Sequence, residues 1–288
     1  MWIFILPDGK IFPLEVAKRR FIVSEEGTGM SELEYITQRG PFQHGETVLD
    51  YFLRPRAIQF VIRSVLSCHD KYWHERGLIL DALRPNRGEG VLRATLPGGV
   101  RRDIKVYVQQ GPDFEKLANR GWEEWSFSTT LRLIAHDPVF YDPRTYSLNM
   151  AASGGAEFPI EFPLEFPLAG LAAFIDYDGT WLTYPTIVLT GPMIDPAITN
   201  VTTDELLELD YTLASGEVVT FSLQYGSKTI VSSTAGSIIE HLTSDSNLAT
   251  FHLQPGINEV QATFTASDEI TGLMMYWNNR YIGLGGAI

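Results

Sequence analysis

The sequence predicts a mainly β protein built as two domains. Three observations carry that prediction: apolar residues recur mostly with period two, charge divides unevenly between the halves, and a run of small residues separates them. Of 288 residues 44% are hydrophobic and 12% aromatic, which is ample for packed interiors and excludes disorder as the main state. Residues 1–150 carry 20 Lys and Arg against 19 Asp and Glu, whereas residues 151–288 carry 2 against 16, together the formal charge of -13. An acidic second half repels phosphate backbones and anionic lipid, so neither nucleic acid nor membrane is an expected partner.

The elements follow in order. Trp2 to Leu6 and Ile11 to Leu14 flank Pro7-Asp8-Gly9-Lys10, a turn signal, and predict an opening hairpin. Ile58, Phe60 and Ile62 alternate with Gln59 and Arg63 as in a half-buried strand. Pro97-Gly98-Gly99 separates Val91–Leu96 from Arg101–Val108, where Ile104, Val106 and Val108 oppose Asp103, Lys105 and Tyr107. Trp125, Phe127, Thr129, Leu131 and Leu133 repeat the alternation. Only His69 to Leu83 has helical spacing in this half, through Tyr72, Ile79, Leu80 and Leu83, and Arg84-Pro85 stops it.

Beyond Asp142-Pro143, Ala151-Ala152-Ser153-Gly154-Gly155-Ala156 reads as a flexible linker. Three copies of Glu-Phe-Pro-Ile/Leu, from Glu157 to Leu168, then put six apolar side chains on one face of an extended strand. Their prolines all point to one edge, as on an edge strand that blocks unwanted pairing. A polyproline-type spacer is the rival, but its period of three would scatter the apolar face. Short segments follow at spacings near ten residues: Thr186–Leu189, Leu206–Leu213, Val218–Leu223, Thr229–Val231, Thr250–Leu253, Asn258–Phe264 and Leu273–Trp277. That spacing predicts a β-sandwich. The expected division is a first domain over 1–148, a linker over 149–157 and a second domain over 158–288.

Few residues suit chemistry. A lone cysteine, Cys68, excludes an intrachain disulfide and any multi-cysteine zinc site. His69 and His74 are five apart, about 140° around a helix, so with Cys68, Asp70 and Glu75 they read as a polar helix face and not a metal or nucleophile site. Glu157, Glu161 and Glu165 form a solvated carboxylate row. Asp204, Glu205, Glu208 and Asp210 lack EF-hand spacing and read as an acidic face. The pairs Arg19-Arg20, Arg54/Arg56 and Arg101-Arg102 read as solvated strand faces, a subunit interface or lumen being the alternative. Trp277-Asn278-Asn279-Arg280-Tyr281 mixes a stacking surface with amides as sugar sites do, yet a core Trp and Tyr around a turn at Asn278-Asn279 is the preferred reading. No catalytic, cofactor-binding or metal-binding residue is assigned, and no enzyme activity is expected. The opening apolar run is too short for a signal peptide, and Thr180–Ile194, broken by Pro185, Gly191 and Pro192, cannot span a bilayer as a helix.

Four stretches, in this order, resemble the distal tail protein family of long-tailed, non-contractile bacteriophages. They are Gly40-Pro41-Phe42-Gln43-His44-Gly45-Glu46 leading to Arg56-Ala57-Ile58-Gln59-Phe60; Leu83-Arg84-Pro85 with Gly88; Phe127 to Ala135 with Asp137-Pro138-Val139-Phe140-Tyr141; and a C-terminal pattern. That last pattern runs through Tyr184-Pro185-Thr186-Ile187, Gly191-Pro192, Asn200-Val201-Thr202, Leu253 to Asn258 and Trp277 to Tyr281. The resemblance implies a tail-tube-like β-sandwich or partial barrel with one helix, followed by a galectin-like β-sandwich. It implies a homohexameric ring at the virion tail tip, made and assembled in the bacterial cytoplasm. The implied partners are the tail tube protein and the tail-tip or baseplate hub, with a receptor-binding protein as a further candidate. The near-neutral first half would let six copies pack while the acidic second domains repel one another. Two other classes stay in view: a host-glycan adhesin acting through the second domain, and a glycoside hydrolase, which would require Glu161 and Glu165 as its carboxylate pair.

Overall fold

A computed structural model describes residues 1–116, 125–151, 169–265 and 271–285. The chain forms two compact units, Met1–Pro143 with Tyr281–Ile288, and Arg144–Arg280. The mainly β expectation holds in both, and α1 (His69–Ala82) is the one α-helix among the described residues. No helix there is long and apolar enough to cross a membrane.

In the first unit β1 (Trp2–Ile5) and β2 (Ile11–Pro13) form the expected hairpin, with Phe4 opposite Phe12. The Leu6 amide bonds the Lys10 carbonyl at 2.8 Å, and Gly9 takes the positive φ the turn requires. Next come β3 (Arg20–Glu26), β4 (Leu33–Gln38), β5 (Thr47–Leu53), β6 (Arg56–Val65), the helix, β7 (Gly90–Thr95), β8 (Arg101–Lys116) and β9 (Ser126–Ala135). The first residues of β10 (Phe140–Ala151) join through Tyr141, paired with Asp103.

Two antiparallel sheets, β2-β1-β7-β8 and β3-β6-β9-β8, share β8. That strand is long enough to serve both because its register shifts near Val108–Asp113 let it bend. Alternation on β6 and β9 sends Ile58, Phe60, Ile62, Phe127, Leu131 and Leu133 into one core, where Trp2 meets Phe60 edge-on at 5.0 Å. Burying each such side chain contributes roughly 1.5–3 kcal/mol. The helix adds Tyr72, Ile79 and Ala82 to the same core, and Leu80, expected inward, is exposed.

The second unit stacks two sheets. One runs β18-β17-β16-β12-β20-β10 and the other β11-β19-β13-β14, with β15 also on β13. Their ranges are β11 (Ala169–Tyr177), β12 (Thr186–Thr190), β13 (Met193–Asn200), β14 (Glu205–Glu208), β15 (Thr212–Leu213), β16 (Val218–Ser222), β17 (Thr229–Ser232), β18 (Gly236–Ser237), β19 (Gly256–Thr265) and β20 (Gly272–Tyr281). Inward residues such as Ile187, Leu189, Phe221, Val260 and Met275 fill the space between the sheets, as the period-two pattern requires.

Three local expectations change. Thr250–Leu253 is not a strand: the Phe251 amide turns back to the Asn247 carbonyl at 2.9 Å, and only Leu253 bridges to Thr183. Phe251 and Leu253 are buried all the same, so alternation here came from a turn with two anchors. Leu206–Leu213 is split in two, because the Asp210 amide is taken by the His241 carbonyl instead of a sheet neighbour. Asn278 and Asn279 lie within β20 and make no turn. The strand β10 also runs to Ala151, into the start of the stretch expected as linker. Residues 152–168, with the rest of that linker and the whole Glu-Phe-Pro repeat, lie outside the described residues.

Gly27 follows β3 with φ +81, and a Cβ there would sit 2.0 Å from the Ala57 carbonyl oxygen. Gly27→Ala is expected to lower stability by more than about 2 kcal/mol, read as a fall in the urea midpoint at unchanged slope.

Candidate functional site

The structure divides every arginine pair that the sequence presented as solvated. In each, one guanidinium goes inside: Arg20, Arg56 and Arg102 are buried, at 2–3% exposure, while Arg54 and Arg101 are exposed and Arg19 is half-buried. This corrects the surface reading: Arg101 and Arg102 are neighbours on β8 and point to opposite faces, whereas Arg19 and Arg54 lie just outside β3 and β6, whose first residues are Arg20 and Arg56.

Arg56 makes the densest contacts. Its Nε donates to the Pro138 carbonyl at 2.6 Å, Nη1 to Gly27 at 2.8 Å and to Gly29, and Nη2 to Ile282 at 2.6 Å. The plane lies 4.9 Å over the Phe140 ring. Burial lowers its pKa to about 10, which still leaves the group charged at neutral pH. Arg20 reaches the carboxylate of Glu75 at 2.7 Å and the Pro13 carbonyl at 2.6 Å, and Arg19 lies 3.3 Å from the other Glu75 oxygen. Arg102 stacks on Tyr281 at 3.6 Å and lies 3.7 Å from Asp142. Asp103, expected outward, is buried too and takes a bidentate contact from Arg93, both bonds 2.7 Å.

The helix cluster does not converge. Cys68, His69, Asp70 and His74 are exposed, and Glu75 points inward to the arginines. Glu205 and Glu208 sit on opposite faces of β14 because they are three apart. Glu205 accepts from the His252 amide at 3.0 Å, and Thr243 donates to Glu208 at 3.2 Å. Among the described residues no group of three His, Cys, Asp or Glu is placed to hold a metal. The three glutamates of the repeat lie outside the described residues. Trp277 and Tyr281 are buried, and Trp277 stacks on Tyr146 at 6.1 Å, so the aromatic segment is core material and not a stacking platform.

One acidic residue that the sequence did not single out has a built environment. Glu217 accepts from the hydroxyls of Ser232, Thr234 (2.6 Å) and Tyr211 (2.8 Å) and from the Ala214 amide (2.9 Å). Burial opposes its ionisation, but those donors outweigh it and hold the carboxyl at about 2. The socket closes the turn between β15 and β16 and fastens it to β17. Its four donors all come from the chain itself, as a structural anchor requires. In the first unit an open groove of about 450 Å³ lies between Trp2, Ile22, Glu25 and Leu96, with the Trp2 indole N–H bonded to Glu25 at 2.7 Å.

What the first unit does expose is apolar surface. The hairpin β4-β5 forms a two-stranded sheet of its own. Along it Tyr35, Val48, Leu49, Tyr51 and Phe52 are about half exposed, and Phe42 at its tip is fully exposed. This missed hairpin shows why pattern reading fails there: both faces are open, so no alternation marks it. Such surface signals an interface more than a reaction centre.

The fold and its sites thus define a two-unit β protein whose buried charges hold structure and whose first unit exposes apolar surface along β4-β5. Residues 178–281 match the family model described as siphovirus-type tail component, C-terminal domain. No curated protein matches. Among solved structures the chain is similar to the Dit protein of phage SPP1, described as a paradigm of the hub adsorption apparatus in phages that infect Gram-positive bacteria. The TM-score is 0.67 at 12% identity, covering 97% of this chain and 99% of that one. Weaker similarity, with a TM-score of 0.44 at 8% identity over 96% and 98%, is found to a chain of the phage P2 baseplate in its activated conformation. The resemblance to distal tail proteins is thus supported by a tail-component family model over residues 178–281 and by a similar fold along the chain.

Arg56→Met is expected to cost about 3–5 kcal/mol, since carbonyls gathered around one charge lose their donor, and Arg56→Lys about 2–3 kcal/mol because one ammonium cannot span them. Urea titration of both variants checks the ranking. Glu217 gives a second test. Its folded pKa is below the ordinary 4.5, so its stabilisation is complete above pH 4.5 and is lost as pH falls toward about 2. Glu217→Gln is expected to destabilise by roughly 2–3 kcal/mol at pH 7 and to flatten the acid limb of the stability profile.

Proposed function

We propose that this chain is the structural hub of a phage tail tip, with six first units forming a ring that joins the tail tube to the baseplate or tail-tip proteins. The observation that carries the reading is a two-unit fold shared along nearly the whole chain with a phage hub protein, in a chain whose second unit matches a tail-component family. Work of this kind is mechanical. It asks for rigid units, open surfaces for neighbours and no turnover.

The physical properties suit that work. Buried guanidinium sockets brace the first unit from inside, which preserves shape under load. Its charge is close to balanced, so copies can approach without strong repulsion, whereas the second unit carries nearly all the excess negative charge. Six acidic units on one ring would repel and stay apart. The place of action is the tail tip of the virion, after synthesis and assembly in the host cytoplasm.

Light scattering after size exclusion, with negative-stain images of the peak, tests this. The expected result is a particle about six times the 32.3 kDa of one chain, with a central hole. A chain that stays monomeric alone and also fails to join rings in the presence of tail tubes would reject the proposal.

A further inference from the structure

Helix α1 carries two stripes, and only one faces the core. Tyr72, Glu75, Ile79 and Ala82 point inward. On the outer side Trp73 is 54% exposed and Leu80 48% exposed, seven residues apart and so on one face, with Gly77 between them. A Cβ on Gly77 would meet no atom within 4 Å. Glycine inside a helix lowers its stability by about 1 kcal/mol relative to alanine. Nothing within the described chain repays that cost, since no neighbour approaches. The glycine makes instead a notch, one side chain deep, between two apolar walls.

Trp73 is also held in position. Its indole N–H donates to His69 Nε2 at 2.9 Å, the Arg76 guanidinium lies 4.9 Å from its ring centre, and Tyr72 meets it edge-on at 5.5 Å. An exposed tryptophan fixed on three sides has surrendered its rotamer freedom before any partner arrives, which favours use as an interface anchor.

The hairpin supplies a matching surface. Its cross-strand pairs Leu33–Leu53, Tyr35–Tyr51 and Thr37–Val48 share one face, and that face carries no charge. Glu34 and Asp50 lie on the other face, opposite Phe52 and Ile36. The two tyrosine rings are 6.4 Å apart. The uncharged face, with Phe42 at the tip, presents roughly 500 Å² of exposed side chain, taking about half of each large residue's area. A stable interface uses about 800 Å² per partner, so this face supplies a large part of one ring contact and not all of it.

We propose that the uncharged face of the β4-β5 hairpin of one copy seats on the Trp73–Gly77–Leu80 stripe of the next copy. The occupant is a second copy because one unit carries both surfaces and, with both exposed, neither covers the other within a chain. Two different patches that fit each other give head-to-tail addition, which closes when the rotation per step divides the circle. The inference rests on the ring reading and names its contact.

Three variants of the full chain test it. Gly77→Leu fills the notch and improves helix propensity, so it is expected to melt at the same temperature as the parent or higher while losing the ring. Trp73→Glu is expected to lose the ring as well. Val48→Cys combined with Leu80→Cys, in a Cys68→Ser background, should give under oxidation a ladder of covalent multimers up to six, where either substitution alone gives none beyond a dimer. Rings that survive Gly77→Leu and Trp73→Glu overturn this contact and leave the hub reading standing. A parent chain that makes no multimer, with or without tail tubes, and a double-cysteine chain that yields no ladder, overturn both.

Discussion

A single guanidinium sets the geometry of the first unit. Arg56 opens β6, and its donors gather carbonyls from the loop after β3, from Pro138 ahead of β10 and from Ile282 where the chain returns. Those segments are far apart in sequence and each presents a backbone oxygen to the one guanidinium. Removing a cation from water is costly, and only a full set of acceptors offsets it. One charge thus ties together the loop after β3, the segment before β10 and the returning segment at Ile282.

The same logic recurs on a smaller scale. Arg20 and Glu75 tie β3 to the inner face of the helix, Arg93 and Asp103 tie β7 to β8, and Glu217 secures a turn with four donors. Each network replaces solvent around a charge with fixed groups, and each converts a flexible connection into a rigid one. Apolar cores supply the bulk of the stabilisation. Charged sockets decide how strands and loops are held relative to one another within each unit.

Among the described residues, Arg56, Arg20, Asp103 and Glu217 are each paired with backbone groups or with other side chains. Where the first unit is incomplete is on its apolar exterior, along the hairpin and the outer helix stripe. A protein of this kind is read through what it leaves uncovered.

The sequence by itself determined the β character of both halves, the opening hairpin, the helix and most of the sandwich strands, because one-sided burial writes a period of two or 3.6 directly into residue order. It also carried the family resemblance, through the spacing of turns and core residues. It could not mark β4 and β5, whose two faces are both open, nor separate a real strand from Thr250–Leu253, where a turn buries two side chains at the same spacing. Nor could it tell Arg56 from Arg54, or Arg20 from Arg19. The members of each pair are identical in composition, and which of them is buried depends on the sheet, the loops and the returning terminus that cover it. Those contacts join residues more than two hundred positions apart, as Arg56 and Ile282 are, so only the tertiary structure decided them.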